Sequence, residues 1–429
     1  MELMIPLPLT LPDTPLSLDQ LEAAVHVWGL AIQQAALALV WQMQAALRPA
    51  VACPACQSEQ RQRAGSRPRT VETRFGPVRL QRARVRCRGC GRHFQPDDAP
   101  LDATLGAGRC TPTLRALVAQ CGASWPYRQA AQVVGMLRGI PLAAETIRRI
   151  VAQTGSVVSA QYDREAAAAC QPPATAPPPT IPPAAVEVLL DGGWVHSWDN
   201  AHGMEIKVGV VHTGSEQCGT TRTRLTTRRY AATAAGVVPF GTHVTAAIEH
   251  VDGFAATDQT LLGDGAAWIW RLGGALLPTA TQVLDRCGCP LGSMRDARRR
   301  ATRAAIPDKA TRQPWSIQLE EALDKGAVDS ALTVLAAMMQ QYPHPALAQF
   351  AGYLRTHAAR IPDYAARQEA GRTIGSGAME KGVDIVVNRR LKGRRGMRWW
   401  RERAAGVIAL RLAILNDEWE QRLSQAHAA

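Results

Sequence analysis

The C-terminal half of the chain contains one stretch that decides its fold, Val186-Glu187-Val188-Leu189-Leu190-Asp191. Short apolar runs rich in β-branched residues are typical of buried strands, so this run predicts a strand that ends at Asp191. A second such run covers Met204–His212, and the turn residues Asn200 and Gly203 lie between the two. The pattern therefore predicts a β-hairpin.

Elements of both kinds follow this hairpin. The hydrophobic periodicity predicts, in order, a strand near Arg224–Ala232, a helix over 240–250, a strand at Gln259–Leu262, a helix after Trp268 and a strand at Thr281–Leu284. Residues 296–370 are predicted to be mainly helical, and residues 377–424 to form two helices. A run of strands followed by alternating strands and helices is the layout of an α+β or α/β sheet domain.

The N-terminal part predicts a different organisation. Residues 17–48 form one predicted helix, with Ser17 or Asp19 near its N-cap and Pro49 ending it. Residues 108–160 show the periodicity of a small helical bundle of helix-turn-helix size. Seven prolines between residues 171 and 183 predict a stiff connector and the clearest domain boundary.

The first predicted helix is unusually apolar. The stretch from Ala23 to Leu47 holds no Asp, Glu, Lys or Arg, which raises the possibility of a membrane span. Four glutamines and His26 interrupt it, so the sequence favours a buried or self-associating helix, and no membrane partner is predicted.

Composition points to a polyanionic partner. The chain has 429 residues, 46% of them hydrophobic, which is ample for several folded domains. Its formal net charge of +13 favours nucleic acid over acidic or neutral partners. Ten cysteines without a secretory signal indicate metal ligands in a reducing compartment, and we therefore predict a cytoplasmic protein.

Two Cys-x-x-Cys pairs, Cys53/Cys56 and Cys87/Cys90, predict a zinc site. Tetrahedral zinc is closed by four thiolates, and each such pair presents two of them from one short turn. The alternating residues from Arg79 to Arg86 suit a strand that leads into the second turn, as in a zinc ribbon. The alternatives are four ordinary buried thiols or a redox-active pair.

The same region is strongly basic. Between Ser58 and Arg92 the sequence holds eleven arginines against two glutamates, which favours contact with phosphate over a merely solvated surface. The candidate DNA-binding side chains on the predicted strand are Arg82, Arg84 and Arg86.

Three acidic residues stand in settings that suit a two-metal nuclease site. Asp191 follows the first strand, Asp264 follows the run Leu261-Leu262-Gly263, and Glu380 follows Gly375-Ser376-Gly377-Ala378-Met379. Two Mg²⁺ or Mn²⁺ ions that cleave a phosphodiester need carboxylates fixed at strand ends and helix starts. Each aspartate precedes a glycine and is alternatively a turn residue. Glu380 is alternatively a favourable partner of the helix dipole, and Asp384 one turn later is an alternative ligand.

A basic segment with two tryptophans, Arg389–Arg401, follows Glu380. Its charges suit the phosphates of a DNA strand, and Trp399 and Trp400 either stack on an unpaired base or fill the core. The candidate DNA-binding residues here are Arg389, Arg390, Lys392, Arg394, Arg395 and Arg398.

Taken together, these motifs resemble the ISKra-type transposases of bacterial insertion sequences, a branch of the DDE group. The similar stretches are Gly76–Val78 through Gly91–Pro96, Leu190–Gly192, Leu262–Trp270, Ile374–Glu380, Arg390–Lys392 and Gly396–Trp399. The resemblance implies an RNase H-like catalytic fold, a helical insertion between Asp264 and Glu380, and a catalytic triad of Asp191, Asp264 and Glu380. It also implies double-stranded DNA, both element ends and target, as the partner of a homo-oligomer.

The predicted organisation is α+β and multidomain. Its parts are an N-terminal helix (1–50), a zinc ribbon (51–100), a helical DNA-binding module (101–170), a proline-rich linker (171–184), the first part of an RNase H-like core (185–295), a helical insertion (296–370) and C-terminal catalytic helices (371–429).

One segment departs from the family. After Asp285, where an aromatic residue and a histidine are expected to open a helix, the chain continues Arg286-Cys287-Gly288-Cys289-Pro290. A helix does not start easily through this sequence. The competing hypotheses are therefore a non-catalytic zinc-ribbon DNA-binding protein or an inactive transposase remnant, and a structure-selective nuclease of the same fold.

Overall fold

The computed structural model describes residues 10, 13–106, 108–171, 181–218, 222–286, 294–375, 377–393 and 396–428. The chain has a mixed α/β structure and divides into two compact units. Met1–Thr154 and Leu423–Ala429 form the first unit, and Gly155–Arg422 form the second. Most of the predicted proline-rich linker and the segment Cys287–Gly292 lie outside the described residues.

The first unit begins with a long helix, α1 (Leu18–Leu47), whose N-cap is Ser17 in a capping box with Gln20. A sheet follows, which is formed in the described residues by β1 (Arg61–Thr73), β2 (Gly76–Cys87) and β3 (His93–Phe94), all antiparallel. The helices that complete the unit are α2 (Asp98–Leu105), α3 (Pro112–Ser124), α4 (Tyr127–Arg138) and α5 (Ala144–Ala169), the last of which continues into the second unit. The predictions of α1, of β2 and of helices over 108–160 are confirmed.

The core of the first unit lies between α1 and the sheet of β1, β2 and β3, which we call the ribbon. Buried side chains from the two long strands and α2 form it: Val71, Val78, Leu80, Leu101 and Leu105. One face of α1 covers them through Leu37, Ala38 and Trp41. Polar contacts fix the same face, because Gln34 Nε2 donates to the carbonyl of Phe75 at 2.7 Å and Trp41 Nε1 to that of Gln81 at 3.3 Å.

The second unit is built on a five-stranded sheet, as counted in its described residues. In chain order the strands are β4 (Ala185–Val195), β5 (Met204–His212), β6 (Ser215–Cys218), β7 (Arg222–Leu225), β8 (Arg228–Thr233), β9 (Asp258–Gly263) and β10 (Thr281–Leu284). The sheet order is β10-β9-β4-β5-β8, and β6 and β7 form a separate pair. Strands β4, β5 and β8 are antiparallel neighbours, whereas β9 and β10 run parallel to β4.

Helices connect and cover this sheet. Those between the strands are α6 (Val237–His250) and α7 (Ala267–Leu276). A helical segment follows β10, with α8 (Met294–Ala305), α9 (Lys309–Asp324), α10 (Val328–Gln341), α11 (Pro345–His357) and α12 (Tyr364–Glu369). The chain ends with α13 (Gly377–Val383), a π-helical segment (Asp384–Asn388), α14 (Arg389–Leu391), α15 (Arg401–Leu415) and α16 (Trp419–Ala428).

Three sequence predictions for this unit need correction. Strand β4 does not end at Asp191 but runs to Val195, because β5 continues to pair with it beyond that point. The strand predicted over Arg224–Ala232 is two strands, since β7 pairs with β6 and only β8 joins the main sheet. The last predicted helix is broken near Asp417, whose φ of 58° does not fit a right-handed helix.

Among the described helices, one is long and apolar enough to cross a membrane by length and composition, and it is α1 over Leu18–Ala45.

Candidate functional site

Three aspartates lie at the same level near the carboxyl ends of three neighbouring strands of the main sheet. We call this end of the sheet the acidic edge. Leu189 in β4 is paired with Leu262 in β9, so Asp191 and Asp264, each two residues later, reach the same level. Leu284 in β10 is paired with Gly263, and the amide of Asp285 donates to the carbonyl of Gly263 at 2.8 Å. Parallel pairing therefore places Asp191, Asp264 and Asp285 side by side on three adjacent strands.

The electrostatics of Asp191 reflect this arrangement. Burial and, to a smaller extent, the negative charges of Asp264, Asp285 and Glu205 raise the pKa of Asp191 to about 6, against the hydrogen bond from the amide of Gly192. That amide lies 2.6 Å from Asp191 Oδ1. Like charges around a partly buried carboxylate are the condition that a bound cation relieves.

The other two aspartates are held in fixed positions. Asp264 Oδ1 accepts a hydrogen bond from the amide of Ala266 at 3.0 Å, which ties the carboxylate to the start of α7. Asp285 is only 1% exposed. The three carboxylates do not all converge on one point, because no three acidic side chains of the described residues have all their ligand atoms within 4.8 Å.

Glu380 lies on the helix that faces Asp191. A side chain at Gly193 would come within 3.1 Å of Val383, so this face of β4 packs against the end of α13. Asp191 shares that face because side chains alternate along a strand. Glu380 is one helical turn before Val383 and is exposed. The structure thus places Glu380 on the Asp191 side of the sheet, in the first turn of α13.

Asp384, the alternative ligand, is engaged elsewhere. It begins the π-helical segment and accepts a hydrogen bond from Arg389 Nε at 2.8 Å. Its side chain is partly exposed, and that of Arg389 is mostly exposed. Asp384 is therefore a partner of Arg389 in this structure.

The π-helical segment is held by a buried arginine of α15. Arg411 Nε donates to the carbonyl of Val386 at 2.9 Å, and its Nη2 donates to that of Ile385. Burial, together with the neighbouring charges of Arg390 and Arg389, lowers the pKa of Arg411 to about 10. A π-turn adds one residue to a helical turn and often marks a functional position. Here it lies between α13, which carries Glu380, and α14, where the basic segment begins.

The loop that leads into α13 is anchored to β4. The amide of Thr373 donates to Glu187 Oε1 at 3.2 Å, and the Thr373 hydroxyl donates to Oε2 of the same carboxylate. His212 Nε2 lies 3.1 Å from Glu187 Oε2. Burial alone would raise the pKa of Glu187, but the contacts with His212 and Thr373 outweigh it and lower the pKa.

Tyr353 and His357 of α11 approach the acidic edge, which the sequence did not predict. A side chain at Gly265 would lie 3.4 Å from both Tyr353 Oη and His357 Nε2. Within the described residues, neither the buried Tyr353 hydroxyl nor His357 Nδ1 has a hydrogen-bond partner. Burial, together with Asp264 and Asp285, raises the pKa of Tyr353, so the phenol keeps its proton.

A surface of tryptophans and basic residues lies where β4 turns into β5. Trp194 and Trp198 are each 58% exposed, and the guanidinium of Arg398 lies 5.3 Å from the ring of Trp198. The amide of Trp198 donates to the carbonyl of Trp399 at 3.0 Å, which ties the basic segment to the hairpin. A cavity of about 430 Å³ lies between them, lined among others by Trp194 and Lys392.

The predicted DNA-binding residues of this segment differ in their exposure to solvent. Lys392 and Arg398 are exposed, as is Arg389 beside Asp384. Arg390 is 1% exposed and lies over Trp399, so it is a packing residue here and cannot reach a phosphate at the surface. Trp399 is likewise buried and donates to the carbonyl of Leu391, whereas Trp400 is exposed. Arg394 and Arg395 lie outside the described residues.

In the first unit, the four predicted cysteines come together. Their sulfur atoms all lie within 4.8 Å of one another, with Cys53 3.7 Å from Cys90 and Cys56 3.5 Å from Cys87. Backbone amides lower the pKa of Cys87 to about 6, chiefly that of Cys90. Amides of Ala55 and Cys56 lower that of Cys53. The four cysteines can therefore hold one metal ion.

The three arginines of β2 that were predicted to bind DNA also differ in their exposure to solvent. Arg82 is bound to Asp98 and mostly covered, which removes it from a DNA surface. Arg86 is exposed and Arg84 half-buried on the same strand. Two of the three arginines predicted on β2 thus remain accessible.

In comparisons with known proteins, no family model matches the chain, and no curated protein is significantly similar to it.

Sequence reasoning could have found Asp285, because it follows the apolar strand Thr281–Leu284 as Asp264 follows β9. Tyr353 and His357 gave no such signal. They lie in a helix more than eighty residues from Asp264, and only the folded chain brings them to Gly265.

Proposed function

We propose that the chain is a DNA transposase of the DDE group, similar to the ISKra type, in which the second unit cleaves and joins DNA strands. The observation that carries the proposal is the alignment of Asp191 and Asp264 on adjacent parallel strands, with Glu380 on the helix that covers the same face. A non-catalytic DNA-binding protein has no need for such an acidic edge.

The sheet order supports the RNase H-like part of the proposal. Three antiparallel strands followed by two strands parallel to the first, each reached through a helix, agree with that fold. The helical segment α8–α12 lies between Asp264 and Glu380, where the resemblance implies an insertion.

The residues at the edge suit magnesium or manganese. These ions prefer oxygen ligands, and Asp191, Asp264 and Glu380 offer carboxylates from rigid elements. Burial raises the pKa of Asp191, the like charges of Asp264 and Asp285 add to the rise, and a bound cation would relieve both effects. When bound, two such ions activate water for attack on the phosphate and stabilise the leaving 3′ oxygen.

The protein's own groups complete the chemistry. Asp191 must be ionised to hold a cation, which its pKa of about 6 permits at neutral pH. Tyr353, which keeps its proton, can donate a hydrogen bond to a phosphate or water oxygen beside Asp264. The accessible basic and aromatic residues beside the β4–β5 hairpin would hold a DNA strand through its phosphates and bases.

The first unit would bind DNA. We propose that the four cysteines bind Zn²⁺, which closes the turns that flank the arginine-bearing strand β2. Zinc there is structural, since four thiolates leave no open position for substrate. A cytoplasmic location follows as part of the proposal, because reduced cysteines are needed for this site.

The test is a strand-cleavage assay on labelled duplexes that span the DNA on either side of the coding sequence, with Mg²⁺ or Mn²⁺. The wild-type protein should cut at discrete positions, and Asp191→Asn, Asp264→Asn and Glu380→Gln should each abolish cleavage without weakening DNA binding. Asp252→Asn is the matched control, because Asp252 is exposed and its left-handed backbone tolerates Asn.

The outcomes separate the competing functions. Full activity of Glu380→Gln would remove the assigned triad, and loss only in Asp384→Asn would move the third ligand along the helix. Equal cutting of an unrelated duplex would indicate a structure-selective nuclease, and binding without any cutting by the wild type would indicate a non-catalytic protein.

A further inference from the structure

Helix α1 has two apolar sides, and the described residues cover only one of them. The covered side carries Gln34, Leu37, Ala38 and Trp41, which pack on the ribbon. At about 100° per residue, the opposite side carries a second series of apolar side chains. Its members are Leu18, Leu21, Val25, Trp28, Ile32 and Leu39.

The second series follows the heptad rule of helix pairs. Its steps of three, four, three, four and seven residues are the a and d positions of a heptad sustained over three repeats. Leu18 is 79% exposed and Val25 60% exposed, whereas Trp28 and Leu39 are half-buried. From Leu18 to Leu39 the series extends along about 32 Å of helix, long enough for a stable pairing.

We infer that this side of α1 is a self-association surface, on which a second copy of the same chain lays its own α1 in antiparallel orientation. No charged side chain lies between Ala23 and Leu47, so two identical helices meet without like-charge repulsion. The inference concerns the first unit alone and does not depend on the proposed catalytic function.

Size and charge select the antiparallel orientation. With the crossing point near Leu30, Trp28 lies opposite Ile32 and Leu21 opposite Leu39, whereas a parallel pair would oppose the two Trp28 rings. The N-terminal end of α1 is acidic, with Asp19 and Glu22.

The other end of α1 carries no acidic residue. Between Ala23 and Leu47 the helix holds no Asp or Glu, and Arg48 follows it. Antiparallel pairing therefore keeps the acidic ends of the two copies apart, whereas a parallel pair would place them side by side, where like charges repel.

A lipid bilayer is the less favoured occupant. The side chains of Gln34 and Trp41 are hydrogen-bonded to the ribbon, and Leu37 and Ala38 belong to its core. Inserting the helix would break these contacts and would drag the charged ribbon toward the lipid.

The test is analytical ultracentrifugation of the zinc-loaded full chain with one matched pair of variants. Val25→Glu lies in the series and Val27→Glu outside it, and the two valines are 60% and 62% exposed. Wild type and Val27→Glu should sediment as dimers. Val25→Glu should weaken dimerisation about 100-fold or more, because each dimer would bury two unpaired carboxylates. Unchanged zinc content and circular dichroism show that Val25→Glu is folded.

Two further measurements identify the occupant. A photocrosslinking amino acid at Leu21 should link to the peptide that contains Leu39 of a second copy. Crosslinks between two Leu21 peptides, or to residues 1–12 of the same chain, would overturn the inference, as would a wild-type monomer at micromolar concentration. Binding of wild type to phosphatidylcholine–phosphatidylglycerol vesicles that Val25→Glu abolishes would overturn it in favour of a membrane.

Discussion

At the scale of single residues, the surroundings of each carboxylate determine its acidity. Asp191 is the most informative, since burial and the charges of Asp264, Asp285 and Glu205 raise its pKa to about 6. Asp285 completes this group although it belongs to no assigned triad. A substitution of Asp285 is therefore no neutral control for the site, and we expect it to change the acidity of Asp191.

Asp191→Asn should stabilise the metal-free protein at pH 8. Because the pKa of Asp191 is raised on folding, its ionisation costs folding energy above pH 6, and this cost disappears as the pH falls from 6 toward the unfolded value near 4. The gain at pH 8 should be about 2–3 kcal/mol, since one pKa unit corresponds to about 1.4 kcal/mol. Thermal unfolding of both proteins at pH 8 and pH 5 measures it. An equal difference at the two pH values would contradict the prediction.

Tyr353→Phe tests the phenol at the acidic edge. The variant keeps the ring and its stacking on Phe350, at 6.3 Å between ring centroids, and removes only the hydroxyl. If that hydroxyl donates to the reacting phosphate or to water, cleavage should slow by about 10- to 100-fold. Tyr342→Phe is the control, because it removes the same hydroxyl from a tyrosine at the end of the preceding helix α10. Full activity of Tyr353→Phe would exclude a role for the hydroxyl in cleavage.

At the scale of elements, the π-helical segment between α13 and α14 depends on Arg411. Arg411→Met removes the donors for the buried carbonyls of Ile385 and Val386, which should cost about 1–3 kcal/mol of stability. Arg403→Met is the matched control, because Arg403 is exposed on the same helix. Melting temperatures measure both, and equal values for the two variants would contradict the assigned role.

The elements also show what sequence can predict. Runs such as Thr281–Leu284 were located to the residue, because their apolar pattern and flanking turns are local signals. The end of β4 was not, since pairing with β5 carries the strand past Asp191 to Val195. The π-turn and the burial of Arg390 also escaped prediction, because both depend on packing between distant helices.

At the scale of the whole molecule, the chain joins an arginine-rich unit with a four-cysteine group to a sheet unit with an acidic edge. The four-cysteine group was predictable, because both pairs are visible in the sequence. The site at the sheet edge was predictable only in part. The apolar runs before them pointed to Asp191 and Asp264, although β4 continues past Asp191, but the approach of α11 arises from long-range folding.

Zinc content tests the first unit as a whole. The protein should contain one equivalent of Zn²⁺, and Cys87→Ser should lose it because three thiolates close the site poorly. Cys110→Ser is the matched control, since Cys110 is also buried in this unit but lies outside the group of four. Elemental analysis of purified protein measures both. Less than half an equivalent in the wild type would contradict a zinc ribbon.

Whether the acidic edge binds metal is decided by Mn²⁺ binding to the protein–DNA complex, measured by electron paramagnetic resonance with the cysteine site filled by zinc. We expect wild type and Asp252→Asn to bind Mn²⁺ equally, and Asp191→Asn and Asp264→Asn to lose this binding, because a charged ligand is missing from the sheet edge. If Asp191→Asn and Asp264→Asn bind as much Mn²⁺ as wild type, the acidic edge is not a metal site and the proposed mechanism is wrong.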